Sequence, residues 1–125
     1  MNILIVEDDE QTHAALMNLV RRMGFNPRGA RTGGEAIDEV LRSAPQVLIT
    51  DWDLGERLSG VEVAALAQDR RDSCRVVFCS GNNMALLRQR TSHLHHCSFI
   101  RKPSSLAQLR QEFRVILDTA CCQGI

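Results

Sequence analysis

The stretch Val47-Leu48-Ile49-Thr50-Asp51 decides the fold. Its first four residues form a continuous apolar and β-branched run, with Pro45 before it and a glycine-containing loop after it. A run of this kind is typical of a central strand in a parallel sheet that helices cover on both faces. Asp51 therefore falls at the carboxyl end of a buried strand, the edge at which open α/β sheets place their functional groups.

Strands and helices alternate on both sides of this central strand. Pro27 and Gly29 interrupt the weakest of the other strands, which favours an edge position for it. Five βα repeats with short links predict an α/β domain with a doubly wound, five-stranded parallel sheet and right-handed crossovers. The predicted strands are 3–6, 25–31, 47–50, 75–79 and 96–100, and the predicted helices are 10–23, 34–42, 61–67, 83–91 and 104 or 105 to about 120.

The composition limits the classes of function. A chain of 125 residues, 44% of them apolar, predicts one domain with a full core. Basic and acidic side chains number 15 each, so no overall field attracts nucleic acid. We recognise no signal peptide and no apolar run of membrane-spanning length. Five cysteines without metal-type spacing fit reduced thiols, and together these features predict a cytoplasmic protein.

Polar side chains follow four of the predicted strands and meet at one edge of the sheet. They are Glu7 and Asp8, then Asp51, Ser80 and Lys102. Singly, each has a structural explanation: acids favour the start of a helix, Ser80 suits a turn, and Lys102 suits a solvated loop. Together, three close carboxylates need a counter-ion, and hard oxygen ligands favour Mg²⁺. A carboxylate beside this ion, with an ammonium opposite, can act as a nucleophile toward phosphorus. Lys102 is also the one lysine among the 15 basic residues.

These residues resemble the response-regulator receiver domain of two-component signalling. The matching pieces are Ile3–Val6 followed by Glu7-Asp8, Asp51 43 residues after Asp8, Ser80-Gly81, and Lys102-Pro103. The resemblance spans residues 1 to about 120, and the motifs occur in the family's order on the five βα repeats. It implies the flavodoxin-like arrangement of the sheet, with strand order 2-1-3-4-5.

The resemblance also implies a site and a reaction. Asp51 accepts a phosphoryl group from a phosphohistidine, and Lys102 forms an ion pair with that group. Glu7 and Asp8 hold Mg²⁺ together with Asp51, and Asp53 adds its backbone carbonyl to the metal. The protein is then a signalling phosphoacceptor that assists its own phosphorylation and dephosphorylation, and not an enzyme in the usual sense.

The same resemblance implies that two further residues form a conformational switch. The Ser80 hydroxyl closes on the phosphoryl group, and Phe99 turns into the space that Ser80 vacates. The face formed by the fourth helix, fifth strand and last helix then changes shape for a partner. The implied partners are a sensor histidine kinase or a histidine phosphotransfer protein, and a downstream protein. We expect no direct contact with nucleic acid or membrane, and a monomer or weak homodimer.

Some positions depart from the family pattern. Gly55 stands where proline is common, the loop to Gly60 is one residue longer than usual, and Phe99 stands where tyrosine is common. Phenylalanine cannot donate a hydrogen bond, so the switch would rest on packing. Asp9 lies outside the acidic pair and is expected to cap the first helix or to lie in its first turn. Residues 1–125 are expected to be one receiver domain with no output domain.

Other classes of function stay open at this point. A receiver-like module can bind partners without phosphorylation. A flavodoxin-like nucleotide-binding protein shares the architecture, but residues 7–10 are acidic where a phosphate loop would lie. A metal enzyme built on Asp51 and Asp53 rests on a motif of only three residues.

Overall fold

The structure is a computed structural model that describes residues 1–51, 59–80, 84–101 and 106–123. Its sheet has five parallel strands in the order β2-β1-β3-β4-β5, which confirms the predicted fold and strand order. The strands are β1 (Ile3–Val6), β2 (Arg28–Ala30), β3 (Val47–Asp51), β4 (Arg75–Ser80) and β5 (Cys97–Arg101). The helices are α1 (Glu10–Arg22), α2 (Gly33–Arg42), α3 (Gly60–Arg70), α4 (Met84–Arg90) and α5 (Leu106–Gln123).

The inner strands are buried on both faces, as their continuous apolar sequences predict. Alternate residues of each strand pack into one of two core clusters, because successive side chains of a strand point to opposite faces of the sheet. Each fully buried Val, Leu, Ile or Phe contributes roughly 1.5–3 kcal/mol through the hydrophobic effect. One cluster contains Leu4, Val6, Leu48, Val76 and Phe78, and the other contains Ile3, Ile5, Val47, Ile49 and Val77.

Polar residues begin three of the helices at the positions where their side chains can cap backbone N–H groups. Asp9 accepts from the N–H of Thr12, Thr32 from that of Glu35, and Ser59 from that of Glu62. A cap of this kind stabilises a helix by about 1 kcal/mol. The cap of α1 confirms one of the two roles expected for Asp9, and it places the two preceding acids ahead of the helix.

The strand predicted over 25–31 is shorter than expected. Gly24 adopts a left-handed conformation (φ +96°) and ends α1. The N–H of Phe25 then donates to the carbonyl of Val20 at 3.3 Å, so this residue belongs to the turn after the helix. Pro27 has no N–H to donate to a neighbouring strand, and β2 begins only at Arg28.

Several other predicted boundaries are also displaced. The last strand begins at Cys97 and not at residue 96, because His96 has a left-handed backbone (φ +56°) that lies outside the β region. β3 extends through Asp51, α3 extends to Arg70, and α5 extends to Gln123. The predicted start of α5 at residue 104 or 105 lies outside the described residues.

Two of the predictions from composition can be compared with the structure. The described cysteines, Cys74, Cys79 and Cys97, are reduced thiols. Burial raises the pKa of Cys74 to about 12, so this thiol stays protonated at neutral pH. Among the described residues, the structure has no helix with the length and apolar character needed to cross a membrane.

Candidate functional site

The register of the sheet brings the acidic residues together. Val6 of β1 pairs with Thr50 of β3, so the next positions along the two strands are Glu7 and Asp51. Asp8 follows one residue later in the connection to α1. Ligand atoms of Glu7, Asp8 and Asp51 all lie within 4.8 Å of one another. The structure therefore assembles three of the carboxylates that the sequence placed at this edge.

The three acids differ in how far water reaches them. Glu7 is only 2% exposed, while Asp51 is half-buried and Asp8 is exposed. The Glu7 backbone N–H donates to the carbonyl of Ala30 at 3.1 Å, which continues the β1–β2 pairing. Its carboxylate accepts from the N–H of Asp9 at 3.2 Å. A buried carboxylate needs such partners, because burying an uncompensated charge is costly.

The donor set fits a small divalent cation. Mg²⁺ binds oxygen ligands at about 2.0–2.1 Å in octahedral geometry, so ligands on opposite sides lie roughly 4.2 Å apart. The oxygens of Glu7, Asp8 and Asp51 are within 4.8 Å, so small side-chain movements suffice to bring them to that distance. Mg²⁺ usually keeps several waters, and the exposed side of Asp8 leaves room for them.

A basic residue that the sequence analysis did not assign also lies at this edge. The guanidinium of Arg31 donates to the backbone carbonyl of Asp8 at 3.3 Å, from the position directly after β2. Its own N–H donates to the carboxylate of Glu35 at 3.1 Å. The available signal was the position of Arg31 at the end of the second predicted strand, 25–31, since the carboxyl ends of all parallel strands meet at the same edge of the sheet.

His13 of α1 is a second neighbour of the acidic site that the sequence analysis missed. It lies over β2, where a Cβ on Gly29 would come within 2.7 Å of its Nε2. Burial, and then the positive charge of Arg31, lower the pKa of His13, against smaller opposite effects from the Glu7 backbone and from Glu35. The lowered pKa favours a neutral imidazole beside the acids.

The predicted switch aromatic lies in a defined environment. Phe99 is half-buried and its ring stacks on the buried ring of Phe78, with centroids 5.8 Å apart and planes inclined by 17°. Cζ of Arg88 in α4 lies 4.5 Å from the Phe99 ring centroid. Phe99 therefore connects the core to α4, and the cation–π contact is an interaction that the sequence analysis did not include.

A groove of about 500 Å³ lies between β5 and α5. Val115, on its rim, is 64% exposed, which is high for a valine. The carboxylate oxygen Oε2 of Glu112 is buried there without a hydrogen-bond partner among the described residues. The groove also contains Ser98, Phe99, Ile100 and Gln111.

Other predicted site residues fall beyond what the structure describes. Asp53 and Lys102 lie outside the described residues, as do Gly55, Gly81 and Pro103. Ser80 is the last residue of β4, and its backbone pairs in register with Arg101 of β5. The strand ends that precede Gly81 and Lys102 therefore reach the same edge of the sheet as Asp51.

Comparisons with known proteins give one consistent family. The family model described as the response regulator receiver domain matches residues 3–114. The chain is 28% identical, over 94% of its length, to the transcriptional activator protein ExaE of Pseudomonas putida, of which it covers 55%. It is 30% identical, over 88% of its length, to a cyclic di-GMP phosphodiesterase of Thermotoga maritima, of which it covers 29%. The chain thus spans about half or less of the length of these relatives.

A solved structure gives the same fold. A response regulator receiver protein from Sinorhizobium medicae WSM419 superposes with a TM-score of 0.85 at 20% identity, and the match covers 96% of each chain. Receiver domains are signalling phosphoacceptors and not classical enzymes. They generally bind Mg²⁺ at an acidic pocket and interact with histidine kinases and downstream effectors. With its family match over residues 3–114, its sheet order and its acidic cluster, this chain belongs to the response regulator receiver family.

Proposed function

We propose that this receiver domain accepts a phosphoryl group on Asp51 from the phosphohistidine of a sensor kinase or a histidine phosphotransfer protein. The observation that carries the proposal is the convergence of Glu7, Asp8 and Asp51 within 4.8 Å at the carboxyl end of the sheet. A carboxylate oxygen of Asp51 attacks phosphorus, the phosphorus–nitrogen bond breaks, and its electron pair returns to the imidazole of the donor. Asp51 is half-buried, so part of this residue is reachable from solvent.

Each neighbouring residue has a role in this proposal. Glu7 and Asp8 would hold Mg²⁺ together with Asp51 and, by the family resemblance, the backbone carbonyl of Asp53. The ion, when bound, neutralises charge on the transferring phosphoryl oxygens. Lys102 pairs with another of those oxygens as a compact ammonium. The hydrogen bond from Asp9 keeps the carboxylate of Glu7 oriented before any ion binds.

The output of the proposed reaction is a change of the face formed by α4, β5 and α5. In the proposal Ser80 moves to bind a phosphoryl oxygen, and Phe99 turns into the space that it leaves. Phe99 already contacts Arg88 of α4 and lies in the groove beside α5, so its movement would alter both helices' surroundings. The phosphoryl group need only favour one of two packings to shift their populations.

The proposal includes a setting for the domain. The chain functions as one receiver domain in the cytoplasm, as a monomer or weak homodimer. It receives its phosphoryl group from a histidine-containing donor and docks on a downstream protein without contacting nucleic acid itself. It assists its own phosphorylation and dephosphorylation through the residues named above.

The test is the intact mass of the protein after incubation with a small phosphodonor, with and without Mg²⁺. We expect a single phosphoryl adduct that is lost in Asp51→Asn, and that persists in the matched control Asp38→Asn on the exposed side of α2. An adduct that forms on Asp51→Asn contradicts the assignment. No adduct under any condition favours a receiver-like binding module that works without phosphorylation.

The switch has a separate test. In wild type and in Ser80→Ala, the NMR amide signals of α4, β5 and α5 are compared before and after phosphorylation. We expect the phosphorylated Ser80→Ala protein to keep the spectrum of the unphosphorylated state. A wild-type response in this variant would exclude the coupling through Ser80 and leave the phosphoryl transfer itself intact.

A further inference from the structure

Three of the four histidines of the chain lie within four residues, at positions 93, 95 and 96. They belong to the connection that leads from α4 to the first residue of β5, Cys97. All strands are parallel and Asp51 is the last residue of β3, so this connection lies at the opposite edge of the sheet from the acidic site. The histidines are thus unrelated to the phosphoacceptor chemistry proposed above.

The backbone of this connection is held from several sides. The side-chain amide of Gln68 in α3 donates to the carbonyl of His95 and accepts from its N–H at 3.3 Å. The carbonyl of His96 accepts from the N–H of Val76 at 3.0 Å. His96 adopts the left-handed region (φ +56°), which non-glycine residues occupy only when their surroundings require it. Hydrogen bonds therefore hold the backbone that carries the two imidazoles in place.

The imidazole of His95 faces the turn between α3 and β4. Its Nε2 lies 3.3 Å from Oδ1 of Asp72 and 3.1 Å from the backbone carbonyl of the same residue. The ring of His96 meets that of His95 edge to face, with centroids 5.2 Å apart. Two imidazoles and a carboxylate thus converge on one exposed patch that joins two connections of the chain.

The spacing of these groups fits a zinc-type ion. Zinc binds histidine nitrogen and carboxylate oxygen at about 2.0–2.2 Å, so two ligands of a tetrahedral site lie roughly 3.3 Å apart. That is the separation between Nε2 of His95 and Oδ1 of Asp72. Imidazole ligands favour Zn²⁺, Cu²⁺ and Ni²⁺, whereas Mg²⁺ prefers all-oxygen sites.

We propose that His95, Asp72 and His96 form a binding site for a divalent transition-metal ion, with water completing the coordination. Nε2 of His95 and Oδ1 of Asp72 already have the required separation, and metal binding would replace the proton that Nε2 donates to the Asp72 carbonyl; the exposed side chain of His96 would supply the third ligand by rotation. Rotation is needed because, among the described residues, three ligand atoms come within 4.8 Å only at the acidic site. The ion would tie the turn before β4 to the connection before β5.

The competing explanation is an exposed ion pair between His95 and Asp72. Side-chain exposures of 52% and 97% mean that such a pair stabilises the fold little. An ion pair requires only the imidazole of His95, on which the ring of His96 packs edge to face. A metal site requires both imidazoles, and the two explanations therefore differ in what a His96 variant does.

The experiment is a calorimetric titration of the full chain with Zn²⁺ in an excess of Mg²⁺, which occupies the acidic site. The chain carries Cys121→Ser and Cys122→Ser, which remove two adjacent thiols as competing ligands. We expect one Zn²⁺ per chain, and affinity reduced at least about tenfold by His95→Gln, by Asp72→Asn and by His96→Asn. Asparagine is used at position 96 because it tolerates the left-handed backbone.

His93→Gln is the matched control, since residue 93 is equally exposed but has no place in the proposed site. We expect it to bind Zn²⁺ with wild-type affinity. Equal losses in His93→Gln and His95→Gln would overturn the site, because they indicate loose binding by a histidine-rich surface. Absence of Zn²⁺ binding, or wild-type affinity in His96→Asn, would overturn it as well.

A second measurement locates the ion and does not depend on the variants. Substoichiometric Cu²⁺ broadens the amide signals of residues near its binding site. We expect broadening around residues 72, 95 and 96 in the wild-type chain while those near residues 7, 8 and 51 stay sharp in excess Mg²⁺. Broadening confined to the acidic residues would overturn the proposal.

Discussion

The ring of Phe99 contacts both the buried ring of Phe78 and the guanidinium of Arg88. The two ring centroids are 5.8 Å apart, and Cζ of Arg88 lies 4.5 Å from the Phe99 centroid. The aromatic pair is part of the core, while the arginine belongs to α4. An aromatic ring with a cation on its outer face resists turning inward, because the cation–π contact must break first. The resting position of the proposed switch thus depends on α4.

A double-mutant cycle measures this contact. Arg88→Ala and Phe99→Leu are made singly and together, and the free energy of unfolding is obtained from urea titrations. We expect a coupling energy of about 0.5–1 kcal/mol, because leucine keeps apolar contacts but has no π face. Arg90→Ala, on an exposed arginine of the same helix, is the control and should show no coupling to Phe99→Leu. Equal couplings for the two arginines would contradict the contact.

The acidic site should destabilise the fold when no cation is bound. Asp8→Asn removes one of three carboxylates that lie within 4.8 Å, and Asp8 is exposed, so little packing changes. We expect a Tm about 3 °C above wild type in chelator, since like charges at short range repel. In saturating Mg²⁺ we expect wild type to have the higher Tm, because Mg²⁺ binding stabilises wild type more than Asp8→Asn. An unchanged difference between the two conditions would argue against a shared cation site.

Asp9 should behave differently from its neighbour. Asp9→Ala removes the acceptor for the N–H of Thr12 and for its hydroxyl, at 2.9 and 2.7 Å. We expect a loss of about 1 kcal/mol in the free energy of unfolding, as for other helix caps, with chelator and with Mg²⁺ alike. Asp38→Ala, in the middle of α2, is the control and should change stability by less than about 0.5 kcal/mol. A loss for Asp9→Ala that disappears in Mg²⁺ would mean that Asp9 belongs to the cation site.

Gln68 should be important for stability despite being polar. Its amide is 6% exposed and bonds to the backbone of His95 and to the carbonyl of Cys74 at 3.2 Å. Gln68→Met keeps the side-chain length and removes these hydrogen bonds from buried backbone groups. We expect a loss of about 2 kcal/mol, measured by urea denaturation. Gln89→Met, on an exposed position of α4, is the matched control and should be close to neutral.

The buried thiol of Cys74 makes stability depend on alkaline pH. Burial raises its pKa from 9.0 to about 12 in the folded chain, so the unfolded chain loses this proton first as pH rises. The stabilisation is complete below pH 9 and is lost progressively as pH rises toward 12. Between pH 8 and 10 we expect the free energy of unfolding to fall by about 1 kcal/mol through this group.

The measurement compares wild type with Cys74→Ala at both pH values. The other groups that titrate in this range, including the four remaining cysteines and the one lysine, are common to both proteins and therefore largely cancel in the comparison. The fall between pH 8 and 10 should be about 1 kcal/mol larger in wild type. Parallel pH profiles for the two proteins would show that Cys74 does not titrate as its burial predicts.

The fold could be predicted from the sequence because its signals are local. The continuous apolar runs at 3–6 and 47–50 and the turn residues between elements identify buried parallel strands without any distant contact. The juxtaposition of Glu7, Asp8 and Asp51 follows from the same signals, since parallel strands end at one edge. The differences are at element boundaries. For example, Phe25 belongs to a turn and His96 has a left-handed backbone, and both residues were predicted to lie in strands.

The features that escaped prediction depend on contacts between distant segments. Gln68 lies on α3 between Ala67 and Asp69, and nothing in its local sequence shows that the backbone of residue 95 will reach it. The contact of Arg88 in α4 with Phe99 in β5 likewise joins different elements, and that of His95 with Asp72 joins different connections. Polar contacts of this kind depend on the position in which each helix packs against the sheet. Hydrophobic periodicity does not predict that position.

The shortness of β2 has a consequence for behaviour at high concentration. An edge strand with a long row of unpaired backbone groups is a template for strands of other molecules, and hence for aggregation. β2 has only three residues, Pro27 stands directly before it, and exposed Gly29 lies at its centre. An incoming strand would find few groups to pair with and no apolar row to cover, so this edge of the sheet is protected against strand addition.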